Sequence, residues 1–177
     1  SKYAADLYTR DYTHVFGLQG VVFRQSSVFG TRQFGYFDQG WISHISNSSI
    51  FNWPLQIDGD GKQVRDVLFM EDLIEAFKLA INHIGNIKGK AYNIGGGPKN
   101  TISLIELIRM LEEMNNKKLT LRYADWRPAD QKVYISDISK AKRDFGWEPK
   151  ISVKEGMIRL NNWVKENMHL FKNISNL

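Results

Sequence analysis

The sequence contains no cysteine. That excludes disulfides, thiolate zinc sites, iron–sulfur clusters and cysteine nucleophiles. No apolar run approaches the ~20 residues that span a bilayer, so no membrane helix is expected. No charged-then-apolar leader opens the chain, which leaves secretion unmarked and points to a cytoplasmic setting. G-x-S-x-G is missing, and with it the nucleophile elbow of a hydrolase. The histidines His14, His44, His83 and His169 lack metal-ligand spacing and read as helix-surface residues, so no metal is expected. There is no internal repeat and no low-complexity tract.

What is present is an ordinary globular composition: 177 residues, 42% hydrophobic, 12% aromatic and 24% charged. A chain of this length buries roughly 70% of its unfolded surface. The net charge of +5 is uneven: residues 1–89 carry 8 Lys/Arg against 9 Asp/Glu, residues 90–177 carry 16 against 10. A basic half attracts polyanions. Here the bases are interleaved with acids, and the tightest cluster, Lys140, Lys142 and Arg143, runs straight into Asp144. A solvated helical surface is the reading, with a phosphate-bearing ligand, not nucleic acid, as its functional use.

Periodicity places the elements. Lys2 to Phe16 reads as a helix through Ala4, Tyr8, Tyr12 and Val15/Phe16, stopped by Gly17. Gln19–Arg24 reads as a buried strand, Gln25–Gln39 as a loop, Trp41–Ile50 as a helix and Leu55–Ile57 as a strand before the turn Asp58-Gly59-Asp60-Gly61. Val64–Phe69 is extended. Glu71–Ile84 is a helix with Leu73, Phe77, Ala80, Ile81 and Ile84 on one face. Ala91–Ile94 is a strand, Ser103 with Glu106 forms a capping box for a helix to about Met114, and Leu119–Tyr123 is a strand. After the loop Trp126–Lys132, Val133–Ile135 is a short strand. A helix capped by Ser136 or Asp137 runs to Phe145, and one capped by Ser152 runs to about Met168. Strands alternate with helices, so the class is α/β.

Four stretches are chemically loaded. Arg24-Gln25-Ser26-Ser27-Val28-Phe29-Gly30 gathers a guanidinium and two hydroxyls where a strand ends, the place where open α/β sheets bind ligands; its plain alternative is a serine turn with Arg24 in a structural ion pair. Gly59-Asp60-Gly61-Lys62-Gln63-Val64-Arg65-Asp66 sets an arginine after a glycine turn. Its fork suits phosphate, and Asp66 beside it is placed to orient it; otherwise this is a hairpin with a surface pair. Arg127-Pro128-Ala129-Asp130-Gln131 offers a second arginine that could close on a diphosphate opposite Arg65, or an exposed loop charge. Ile94-Gly95-Gly96-Gly97-Pro98 lacks the G-x-G-x-x-G spacing and reads as a structural turn.

Taken in order, these stretches resemble the C-terminal half of the NAD-dependent nucleotide-sugar epimerases and dehydratases, which are extended short-chain dehydrogenase/reductases. Ser1-Lys2 resembles the end of the family's Y-x-x-x-K, Arg24–Gly30 its R-x-x-N-x-[YF]-G, and Gly59–Asp66 its G-[DN]-G-x-x-x-R-D. Tyr92-Asn93-Ile94-Gly95-Gly96, Arg127-Pro128-Ala129-Asp130 and Phe145-Gly146-Trp147-Glu148-Pro149 match further signatures, so the likeness spans about residues 1–168. Ser26-Ser27, Arg32-Gln33-Phe34, Asp38-Gln39-Gly40-Trp41 and the Gly-Lys-Gln-Val-Arg-Asp run are similar to members that act at C2 of a CDP-linked sugar. Ser27 stands where the family has Asn, Phe29 where many relatives have Tyr, and Thr31 where they have proline or glycine.

The resemblance implies the C-terminal part of a Rossmann fold, its last helix and strands, plus a small α/β substrate-binding domain. Residues 1–30 and about 60–95 would belong partly to the Rossmann sheet, about 31–58 and 96–170 mainly to the nucleotide-sugar domain. It implies NAD as a tightly held cofactor, a nucleotide-diphosphate sugar as substrate, and a homo-oligomer, with no membrane or nucleic-acid partner. Lys2 becomes the catalytic lysine and a cofactor contact, and Ser26 lies near the nicotinamide. Ser27, Arg32 and Gln33 take sugar-side or nucleotide-side places, Arg65 and Arg127 grip the diphosphate, and Asp130 faces the ribose or base. The tyrosine of Y-x-x-x-K would precede Lys2 by four residues, and neither it nor the glycine-rich dinucleotide turn is among the 177 residues. The expectation is a chain that begins inside a larger enzyme and is inactive alone. A UDP- or dTDP-sugar 4-epimerase or 4,6-dehydratase is the alternative within the family, and a non-catalytic nucleotide-sugar or polyanion-binding module the alternative outside it.

Overall fold

The computed structural model describes residues 1–36 and 39–171, so Asp38 lies outside the described residues. Helix α1 (Lys2–Phe16) leads into strands β1 (Val22–Gln25) and β2 (Ser27–Phe29), then α2 (Trp41–Phe51), β3 (Leu55–Asp58) and β4 (Val64–Phe69). Helices α3 (Met70–Asn82) and α4 (Ile84–Ile87) precede β5 (Ala91–Ile94), β6 (Thr101–Ser103) and α5 (Leu104–Asn115). Strands β7 (Leu121–Ala124) and β8 (Val133–Tyr134) are followed by α6 (Ser139–Phe145), α7 (Val153–Glu166) and a 3-10 turn, Met168–Phe171.

Among the described residues, β1 pairs with β5 and β3 with β7, both parallel. Strand β4 is the hub. Its second half pairs parallel with β2, and its first half lies between antiparallel β6 and parallel β8. Because side chains alternate along a strand, β4 serves two cores. Val67 and Phe69 join Ile57, Leu107, Leu111, Met157 and Leu160 in a core built on α2, α5 and α7. Leu68, between them, faces Leu73, Tyr92, Ile94, Phe145 and Trp147 in a second core built on α3, α6 and β5.

Local chemistry explains the ends. Ser103 and Glu106 form the full capping box of α5, the Ser103 hydroxyl accepting from Glu106 N and the Glu106 carboxylate from Ser103 N. Ser152 caps α7 through Glu155 N. The buried Asp72 carboxylate accepts from Lys150 N and Ile151 N, and its carbonyl accepts from Trp147 Nε1 at 2.9 Å, which fastens the segment after α6 to α3.

Four expectations are corrected. The loop after Gln25 contains β2, and Thr101–Ser103 is a strand; both are three-residue pieces held by pairing with β4, not by their own periodicity. The predicted helix Glu71–Ile84 breaks at His83 and continues as α4. Its buried face is Leu73, Ala76 and Ala80, where the small alanines let the backbone approach the sheet, while Phe77 and Ile81 are 47% and 69% exposed.

Candidate functional site

A cavity of about 210 Å³ opens between α2, the ends of β3 and β4, and the loop between β7 and β8. Ile45, Leu55, Ile57 and Leu104 give it apolar walls, and Asp58, Arg65, Arg127 and Asp130 give it a charged rim. Arg65 enters from β4. Its Nη2 pairs with Asp130 Oδ1 at 2.8 Å, and its Nη1 donates to the Val64 carbonyl at 2.9 Å. Arg127, from the loop, donates its Nε to Asp58 Oδ2 at the end of β3. Two Arg–Asp pairs therefore cross the same cavity. The Gln56 amide and the Arg127 guanidinium hold the Asp58 carboxyl below the usual carboxylate range against the opposing effect of burial.

The loop that carries Arg127 and Asp130 is shaped by contact. Trp126 lies on Gly59, where an added β-carbon would sit 2.5 Å from the indole ring. Gly59 also holds a φ of 81°, so glycine is required there both for conformation and for space. Asp130 N donates to the Arg127 carbonyl at 3.2 Å, closing a tight turn through Ala129 at φ 61°. His44, half-buried, also lines the cavity, and burial pushes its pKa down against the opposing backbone hydrogen bond with Gly35.

The remaining predicted residues are distributed around this centre. Ser27 accepts a hydrogen bond from Trp41 Nε1 at 3.2 Å, and Trp41 lines the cavity, so Ser27 is one side chain removed from it with its own O–H free to donate elsewhere. Ser26 donates its hydroxyl to the Asp66 carbonyl at 3.1 Å. The Gln33 amide fastens the loop before α2: its Oε1 accepts from Ser43 Oγ at 2.6 Å. Arg32 is exposed in a turn at φ 64° and lines neither cavity described here. Lys2 lines a separate open cavity of about 800 Å³ between α1 and β1, together with Asp6, Val22, Arg24 and Gln25. Arg24 pairs there with Asp6 of α1 at 2.7 Å, the structural ion pair that the sequence left open.

One expectation fails: Asp66 does not touch Arg65. Strand alternation sends the two side chains to opposite faces of β4, and Asp130 takes the guanidinium instead. Three contributors carry no signal of their role in the sequence. Asp58 reads in sequence as part of a glycine turn, Trp41 as a helix start and His44 as helix surface. The Asp58–Arg127 pair joins residues remote in sequence, and no local pattern announces it. Among the described residues, no group of three or more His, Cys, Asp or Glu could hold a metal ion, and no helix is long and apolar enough to cross a membrane.

Comparison with known proteins shows the family. The family model described as GDP-mannose 4,6 dehydratase matches residues 1–160. CDP-paratose 2-epimerase of Salmonella typhi is 42% identical over 168 residues, covering 92% of this chain and 50% of that protein. UDP-glucuronate 4-epimerase of Thermodesulfobacterium geofontis is 36% identical over 179 residues, covering 98% of this chain and 52% of that protein. The solved UDP-glucose 4-epimerase of Thermotoga maritima with UDP-glucose superposes with a TM-score of 0.86 at 28% identity, covering 94% of this chain and 52% of that one. The chain thus spans about half the length of the curated relatives it matches.

Proposed function

The chain belongs to the family of NAD-dependent nucleotide-sugar epimerases and dehydratases, and from that premise we propose that it is the nucleotide-sugar-binding half of a CDP-paratose 2-epimerase-like enzyme. The supporting observation is the pair of crossed Arg–Asp bridges in one cavity. Each guanidinium already holds a carboxylate. A diphosphate, which presents two adjacent anionic groups, takes the place of those carboxylates with bidentate geometry. The displaced Asp130 then turns to the ribose or base. Ser27, which accepts from Trp41, offers its O–H to the sugar, and Ser26, Arg32 and Gln33 complete the proposed set.

For NAD, the test of fit is the donor set at the second cavity. Lys2 is exposed at its lining, beside the strand end that carries Ser26, and an ammonium suits the vicinal hydroxyls of a ribose. NAD, when bound, supplies a hydride acceptor that is also the donor, so an epimerisation has no net redox change. Lys2 would bind the nicotinamide ribose and, through its charge, favour the ionised form of a neighbouring phenol. The chain spans about half the length of its curated relatives, and we propose that these 177 residues alone do not turn substrate over.

A UDP- or dTDP-sugar 4-epimerase or 4,6-dehydratase is the second reading, favoured by the backbone likeness to the UDP-glucose 4-epimerase. The full-length enzyme with NAD, offered CDP-paratose, UDP-glucose and dTDP-glucose, separates the two. The expected result is C2 inversion of CDP-paratose alone. Conversion of UDP-glucose to its C4 epimer, or of dTDP-glucose to a 4-keto product, transfers the assignment to the second reading. Replacing Arg65 by alanine should weaken CDP-sugar binding by about 1.5–3 kcal/mol, the scale of a lost hydrogen bond to a charged group.

A further inference from the structure

Asp66 is fully buried, with a relative exposure of 0%, yet carries little of what a buried carboxylate needs. Its Oδ2 accepts from Gly97 N at 3.1 Å. Among the described residues its Oδ1 has no hydrogen-bond partner, and neither has the buried Ser136 Oγ. The three polar side chains of this region converge on one point: a β-carbon added at Gly95 would lie 2.3 Å from Asp66 Oδ2, 2.6 Å from Ser136 Oγ and 2.7 Å from Ser26 Oγ. These groups come from the β1–β2 junction, β4, the turn after β5, and the segment after β8. A buried, half-satisfied carboxylate costs stability relative to an apolar side chain of similar shape. Its presence here is better accounted for by geometry than by stability.

That geometry is a junction. Asp66 follows Arg65 directly, and the Asp66 main-chain carbonyl accepts the Ser26 hydroxyl at 3.1 Å. One residue therefore ties the turn after β5, the proposed cofactor-side serine and the strand that presents the diphosphate arginine. On the nucleotide reading above, we propose that Asp66 is a positioning residue. By anchoring Gly97 N against β4 it holds the strand, and with it Arg65, at the height the nucleotide needs, without itself touching a ligand. Asparagine keeps this function, because its amide oxygen serves Gly97 N and its NH₂ can donate to the orphan Ser136 hydroxyl.

The experiment is a double-mutant cycle in the full-length protein, with CDP as probe, read by calorimetry well below the melting transition. Asp66→Ala should weaken CDP binding about 10-fold, the scale of one hydrogen bond. In an Arg65→Ala background the same change should have no further effect, since the group being positioned is gone. Asp66→Asn should recover binding. Unchanged affinity in Asp66→Ala, or a loss that adds in full to that of Arg65→Ala, overturns the proposal and leaves the nucleotide reading standing. A silent Arg65→Ala overturns both. If Asp66→Ala gives no cooperative melt, Gly95→Ala, whose β-carbon displaces the carboxylate without removing it, is read in the same cycle against the same two outcomes.

Discussion

Helices α7 and α1 are both amphipathic, and they are mounted in opposite senses. Helix α7 turns Met157, Leu160 and Val164 inward, into the core it shares with α2 and α5. Helix α1 buries Asp6 and Thr13 against the β1 region and presents Tyr3, Tyr8, Tyr12, Val15 and Phe16 outward, with Tyr8 67% exposed. Periodicity states which residues share a face. It does not state whether that face meets the chain's own core. The half of the molecule around α2, α5 and α7 closes on itself, whereas the half around β1 and α1 leaves an apolar surface uncovered among the described residues. Patches of that kind mark contact surfaces, for protein, membrane or ligand.

The contrast can be broken by experiment. Leu160→Ala should have the largest effect, destabilising by about 2–5 kcal/mol in urea unfolding, as expected for truncating a buried leucine. A loss below 1 kcal/mol would mean that the α7 core is not closed. A smaller effect is expected on acidification. The folded-state pKa of Asp58 is depressed, so its contribution is present above the unfolded value and is lost as pH falls through the folded one, below about pH 3.9. Asp58→Asn should therefore flatten the acid side of the stability curve, by about 0.5–1 kcal/mol for a partly exposed pair. An unchanged acid limb would remove Asp58 from the electrostatics of the cavity. The smallest effect is reserved for α1: Tyr12→Ser should change the monomer's stability by no more than about 0.5 kcal/mol, as for a surface site. A multi-kcal loss in the same unfolding assay would show that the outward face of α1 is part of the core.

Legibility in the sequence followed the range of the forces involved. Strands β4 and β5 appear at their predicted bounds because each is a short extended run flanked by turn residues, and α5 begins where its capping box says. Strands β2 and β6 were illegible, since three residues carry no period and their only stabiliser is β4. At the site, Arg65 and Arg127 are legible as residue types suited to phosphate and Asp130 as the acid that accompanies the second of them, and the fold brings all three to one cavity. Asp58 and the Trp41–Ser27 contact were not, because each acquires its meaning from a partner distant in the chain. Asp66 differs for the opposite reason: adjacency to Arg65 suggests contact, but in a strand adjacent side chains diverge.

The two-faced strand β4 has a consequence for how this protein can vary. Its odd positions, from Arg65 through Val67 to Phe69, belong to the cavity and one core, and its even positions, Asp66 and Leu68, to the junction and the other. Substitution at any one of them leaves this alternation intact. Loss or gain of a single residue does not, because it inverts the parity of the strand, turning a guanidinium toward the interior and a carboxylate toward the cavity while exchanging the contents of both cores. The length of this segment is therefore constrained more tightly than any single letter in it.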